Sequence, residues 1–155
     1  MHQLSRDLIS RLFERAGPLV AKLRDAGPFA SPSDLLERAR VLLFALPEAD
    51  RIAVINAHPR IGERPAVVRA QSETSYREQG YDGDTTPPKV FDDLRRLNAE
   101  YEKKFGFRFV VFVNRRAKAE IVPLMRARLE RTRAEEAETA LGEILAIAAD
   151  RLTHD

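Results

Sequence analysis

The chain has no cysteine, and apart from His2 and His154 near its ends it has a single histidine, His58. The first absence excludes disulfides and thiol nucleophiles. The second, with no HExxH pattern anywhere, leaves too few ligands for a catalytic zinc site. Gly62 and Gly106 stand alone, so no glycine-rich loop is available to cradle phosphate. No lysine stands out as a pyridoxal anchor. No apolar run approaches the roughly 20 residues of a membrane-spanning helix. The opening MHQLSRDLIS is charged where a signal peptide is apolar, and the closing RLTHD is no peroxisomal tripeptide. The expectation is a cytoplasmic protein that holds no metal and no organic cofactor and does not bind membranes.

What is present fits a globular domain. Of 155 residues, 44% are hydrophobic and 32% charged, and neither repeats nor low-complexity tracts nor a linker divide them, so 1–155 reads as a single domain. The 26 basic and 24 acidic residues are interspersed almost throughout. A local excess lies in Arg115, Arg116, Lys118, Arg126, Arg128, Arg131 and Arg133. A small helical nucleic-acid-binding module is therefore a rival reading, although these side chains form no one-sided stripe of the kind phosphate binding needs.

Helical periodicity dominates, and the fold class is all-α, a helical bundle. Leu4, Leu8, Ile9, Leu12 and Phe13 form a first stripe, followed by a short helix from Leu19 to Ala26. Ser31, Pro32 and Asp34 mark a sharp helix start, with an N-cap, a first-position proline and an acid in the first turn. Pro47 opens the next helix, which ends at His58. From Arg60 to Pro88 order weakens, with one short polar helix expected around Glu73 to Gln79. Thr86 and Pro87 predict another N-cap and first position, before a helix with Val90, Phe91, Leu94, Leu97, Tyr101 and Phe105 on one face and Gly106 at its end. The run FRFVVFV, 107–113, is strand-like in composition but has no partner strand, so it reads as a buried extended segment. A helix from about Ala117 to Arg131 should kink at Pro123. Thr132 and Glu135 then form a capping box for a last helix lined by Leu141, Ile144, Leu145, Ala148 and Leu152.

Three places could carry chemistry. Pro59 disfavours helical geometry at His58 and stiffens the backbone there. The helix dipole favours a protonated imidazole at that end, a setting that suits a proton carrier but equally a plain helix cap. In SYREQ, Ser75, Glu78 and Gln79 share one helical face and could hydrogen-bond the edge of a small polar ring, or simply face water. Arg151, near the end of the last helix, is either an ordinary dipole-complementing arginine or a clamp for a substrate carboxylate.

AHPRIG, then SxxEQ with its glutamate 20 positions after the histidine, then LNAEYEKKFGFRFVVFV and TALGEILAIAADRL together resemble the 2-oxo-4-hydroxy-4-carboxy-5-ureidoimidazoline (OHCU) decarboxylases of urate catabolism. PFASPSDLLERAR is similar to that family's entry into its third helix. The resemblance covers nearly the whole chain in order. It implies an all-helical, cofactor-independent carboxy-lyase that makes (S)-allantoin from its small-molecule ureidoimidazoline, often as a homodimer. Carried over by position, it implies His58 as catalytic proton carrier with Glu78 essential, and Pro59 lining the substrate. It likewise implies Ser75, Tyr76, Arg77 and Gln79 as a polar edge, Phe109, Val110, Val111, Phe112 and Val113 as a source of backbone hydrogen bonds, and Arg151 as the arginine late in the last helix. Such a substrate carries its own electron sink, a ring C=N beside the carbon that loses CO2, where most decarboxylases borrow one from a cofactor. The chain departs from the family at Arg108, where proline is usual, at Pro123, and in GYDGDTTPP.

Overall fold

The computed structural model describes residues 2–13, 16–63 and 86–154. Among them the regular structure is entirely helical: α1 (His2–Phe13), α2 (Gly17–Ala26), α3 (Pro32–Ala45), α4 (Glu48–Asn56), α5 (Pro88–Phe105), α6 (Lys118–Leu129) and α7 (Arg133–His154). The all-α expectation holds. The short helix expected at 73–79 lies outside the described residues. The chain forms two compact units, Met1–His58 with Ala140–Asp155, and Pro59–Thr139; α7 begins in the second and ends in the first.

In the first unit α2 packs against α1, α3 and α4. Leu19 and Leu23 of α2 have no exposed surface, and Ile9, Leu12, Leu35, Leu43 and Val54 are buried with them. The start of α2 at Gly17 is earlier than expected, because Pro18 is tolerated in a first turn whose N–H groups lack intrahelical partners anyway. Ser31 caps α3 as its sequence requires, its hydroxyl accepting the Asp34 N–H at 3.1 Å. Arg51 closes the other end of α3 by donating to the carbonyls of Leu46 (2.9 Å) and Phe44 (2.5 Å).

In the second unit α5 starts one residue later than the sequence suggested. Pro87 is its N-cap and Pro88 its first residue, because a proline at 88 pushes residue 87 out of helical geometry. At the far end Gly106 takes φ 80° and donates to the Glu102 carbonyl at 2.9 Å, the left-handed cap that glycine adopts without strain. Residues 107–113 then run without helix or ladder, and Phe107, Phe109, Val110, Val111 and Val113 are buried. Phe105, Phe107 and Phe109 pack around the Tyr101 ring at centroid distances of 4.6, 6.0 and 5.3 Å. α6 continues through Pro123, and the Glu120 carboxylate accepts the Ala117 N–H at its start (2.9 Å). The capping box of α7 forms as expected: Glu135 accepts from Thr132 N–H at 3.0 Å, and the Thr132 hydroxyl accepts from Glu135 N–H at 3.1 Å.

One polar cluster joins these helices. Glu136 has no exposed surface, and its carboxylate accepts from the Tyr101 hydroxyl (2.6 Å), Arg128 Nε (2.8 Å) and Arg131 Nη1 (2.9 Å). Breaking such a buried pair from one side typically costs about 3–5 kcal/mol.

The turn after His58 is held just as firmly. The Asn98 amide donates to the Ile61 carbonyl at 2.8 Å, and Arg60 makes a two-pronged pair with Glu102 at 2.7 and 3.0 Å. Gly62 has φ 76°, and a Cβ there would lie 2.7 Å from Leu94 Cβ. Gly62→Ala should therefore cost about 2–4 kcal/mol, from left-handed strain and overpacking together. Urea unfolding checks this; an unchanged midpoint would mean that the turn is not pressed onto α5.

Candidate functional site

The site residues picked from sequence fall in three groups. His58 stands two residues beyond α4, whose C-cap is Ala57. Its Nδ1 lies 3.1 Å from the Val54 carbonyl. A carbonyl only accepts, so Nδ1 carries the hydrogen and, in a neutral ring, the lone pair sits on Nε2. The sequence suggested that the helix end would favour a protonated ring; the structure reverses this. Desolvation dominates and, despite the help of the Val54 carbonyl, lowers the pKa to about 4, with the Arg151 charge acting in the same direction. A helix end is worth at most a few tenths to about 2 kcal/mol, and the partial burial of the ring outweighs it. His58 is neutral at pH 7, a base before it is an acid.

Arg151 is 4% exposed, and its Nη1 donates to the Leu12 carbonyl at 3.0 Å. It thus also serves the end of α1. The structure brings Arg151 and His58 into electrostatic contact within the first unit. A buried cation beside a neutral imidazole is a setting that favours an anion.

Pro59 opens the second unit, on the turn clamped by Asn98, Arg60 and Glu102. Phe109 to Val113 belong to that unit too. Two of their carbonyls are met by Arg116, whose Nε donates to Val113 (3.0 Å) and Nη2 to Phe112 (2.5 Å). The Val110 carbonyl accepts from Arg128 Nη1 at 2.9 Å, and the Arg128 guanidinium lies 4.3 Å from the Phe109 ring centre. Ser75, Tyr76, Arg77, Glu78 and Gln79 lie outside the described residues.

Sequence reasoning missed the supports. Asn98 could have been found as the one polar residue in the apolar stripe of α5, and Glu136 as an acid on the buried face of α7. Arg60 and Glu102 carry no such signal, since charged residues 42 positions apart pair only through the fold. Arg108, in place of the family's usual proline, is half-buried; burial and the Arg60 charge both oppose its own, partly offset by Glu102 and Glu63.

The rival nucleic-acid reading loses its footprint here. Arg128 and Lys118 are buried. Arg131 holds Glu136 and Thr139, Arg133 donates to the Phe105 carbonyl at 2.8 Å, and Arg116 closes two carbonyls. Cations spent on internal partners cannot form a phosphate-tracking stripe.

The family model for OHCU decarboxylase matches residues 3–153. The chain belongs to the OHCU decarboxylase family. Among curated members, the OHCU decarboxylase of Halalkalicoccus jeotgali is 29% identical over 147 residues, 94% of this chain and 81% of the relative. That of Amia calva is 30% identical over 148 residues, 94% of this chain and 84% of the relative. A bifunctional uric acid degradation protein of Bacillus subtilis is 30% identical over 97% of this chain, which spans 30% of that longer protein. A crystal structure of an OHCU decarboxylase in the presence of (S)-allantoin superposes with a TM-score of 0.73 at 26% identity, over 89% of each chain. The family is one of carboxy-lyases, and nucleic-acid binding is not favoured.

The depressed pKa of His58 has a stability signature. Unfolded, the ring titrates near its ordinary 6.5; folded, near 4. Between these values the unfolded state binds more protons, so the contribution is fully present above about pH 6.5 and is lost as pH falls toward 4. The urea midpoint should drop between pH 7 and pH 5.5, and His58→Gln should remove most of that drop. An imidazole titration of His58 centred near 6.5 would contradict this.

Proposed function

We propose that this chain converts OHCU to (S)-allantoin and CO2, with His58 as the proton carrier and Glu78 as its partner carboxylate. The observation that carries this reading is the state of His58: neutral, tethered through Nδ1, with its basic atom fixed as Nε2, in a chain of this family. Pro59, Ser75, Tyr76, Arg77 and Gln79 would line the substrate, Phe109 to Val113 would hydrogen-bond it through their backbone, and Arg151 would face its carboxylate.

The chemistry needs no borrowed electron sink. As the bond from ring carbon C4 to CO2 breaks, its electron pair forms C4=C5. The π pair of the former C5=N imine moves to nitrogen, which takes up a proton. The result is an enol carrying the original 4-hydroxyl. His58 Nε2 takes the hydroxyl proton as the carbonyl forms, and a proton is delivered to C5, the ureido-bearing carbon. Overall one proton is consumed and CO2 leaves. A ring that starts neutral can accept that proton, and the anionic substrate stabilises the imidazolium against the burial that opposes it in the free protein. Delivery from one side sets the configuration at C5.

His58→Asn should lower turnover by about 10²- to 10⁴-fold, as expected for a general acid–base group, while leaving the urea midpoint at pH 7 nearly unchanged. Glu78→Gln, which keeps shape and removes charge, should be similarly crippled. A folded His58→Asn protein with normal turnover would sink the mechanism.

Arg151 acts in binding. Arg151→Lys should raise KM roughly tenfold or more, the equivalent of losing about 1.5–3 kcal/mol of charge-assisted hydrogen bonding, and should lower kcat less. A fall in kcat at unchanged KM would instead place Arg151 in the transition state.

A further inference from the structure

The N–H groups of Val111 and Val113 meet no hydrogen-bond acceptor among the described residues, although these residues are only 8% and 5% exposed. Orphaned buried N–H groups are rare in native proteins, and each calls for a reason. The carbonyls of the same two peptide units are, by contrast, tightly held. Arg128 donates to the Val110 carbonyl at 2.9 Å and Arg116 to the Phe112 carbonyl at 2.5 Å.

A planar trans peptide points its C=O and N–H in opposite directions, and neither the 110–111 nor the 112–113 bond is cis. An arginine that pins the Val110 carbonyl therefore also aims the Val111 N–H away from itself. The same holds for Arg116, Phe112 and Val113. We propose that Arg128 and Arg116 are positioning residues, which hold these two carbonyls so that the Val111 and Val113 N–H groups stand as a pair of donors for the ligand. This rests on the reading that residues 109–113 contact the substrate. The ligand chemistry that matches is a compact molecule with carboxylate, urea or amide oxygens.

The anchoring of Arg128 supports a positional role. Its Nε is fixed by Glu136, which is fixed in turn by Tyr101 and Arg131, and its guanidinium sits over the Phe109 ring. Its Nη2 is buried without a partner among the described residues. Buried ion clusters of this kind are often no more stable than apolar replacements of similar volume, so stability alone does not account for this one. Arg116 is exposed and reaches the same segment from the start of the next turn.

The test is amide NMR of the full-length protein titrated with (S)-allantoin. In the wild type the Val111 and Val113 amide resonances should both shift as the ligand saturates. Arg116→Met should abolish the Val113 response and leave that of Val111, and Arg128→Met should do the reverse. Each should weaken binding about tenfold, the loss of one hydrogen bond. Because Arg116 is exposed, Arg116→Met decides the matter even if Arg128→Met does not fold. The positioning role is overturned if other resonances respond while these two stay silent, or if folded variants bind like the wild type. If no resonance responds and the wild type leaves OHCU unconsumed, the functional reading itself fails and takes this role with it.

Discussion

A carboxylate with no exposed surface must be met by donors or surrender its charge, and the second unit is arranged around meeting one. Glu136 of α7 draws in the Tyr101 hydroxyl from α5, Arg128 from α6 and Arg131 from the connection that follows. Each donor then fixes something else. Tyr101 carries the ring cluster with Phe105, Phe107 and Phe109. Arg128 holds the Val110 carbonyl, so a stretch of backbone with neither helix nor ladder is held in one conformation while buried. A single acid thus sets the shape of the segment through which this family member would touch its substrate.

In the first unit the decisive balance is between solvation and the helix end. The C-terminus of α4 and the Val54 carbonyl both favour a protonated His58, while burial and Arg151 oppose it, and burial prevails. The free protein therefore keeps a neutral base near a fixed positive charge. An anionic ligand would work against this balance, since it would offset Arg151 and supply the imidazolium with a counter-charge. If His58 is the proton carrier proposed above, the proton affinity of the ring would rise when there is a substrate to protonate.

Local rules made much of the fold readable. Ser31, the Thr132–Glu135 box and Gly106 act within a turn of where they stand, so propensity and spacing sufficed. The absence of a partner strand for 107–113 was equally visible. The Pro87–Pro88 start slipped by one because two prolines compete for the same first turn. The electrostatic state of His58 is not legible in sequence because the dipole is a property of one helix, whereas desolvation depends on everything packed around the ring. The Arg60–Glu102, Asn98–Ile61 and Arg128–Val110 links were invisible for a related reason: they join residues that only the folded chain brings together. Arg116, Arg128, Arg131 and Arg133 show the converse, since much of a basic excess in sequence became a set of internal braces.

Decarboxylation of OHCU by this chain would deliver a proton to one face of the product. Its most direct measurement is the stereochemistry of allantoin formed from freshly generated OHCU, followed by circular dichroism during turnover. The expected result is rapid appearance of the S enantiomer in large excess. Racemic allantoin at the uncatalysed rate in the presence of folded protein would contradict it.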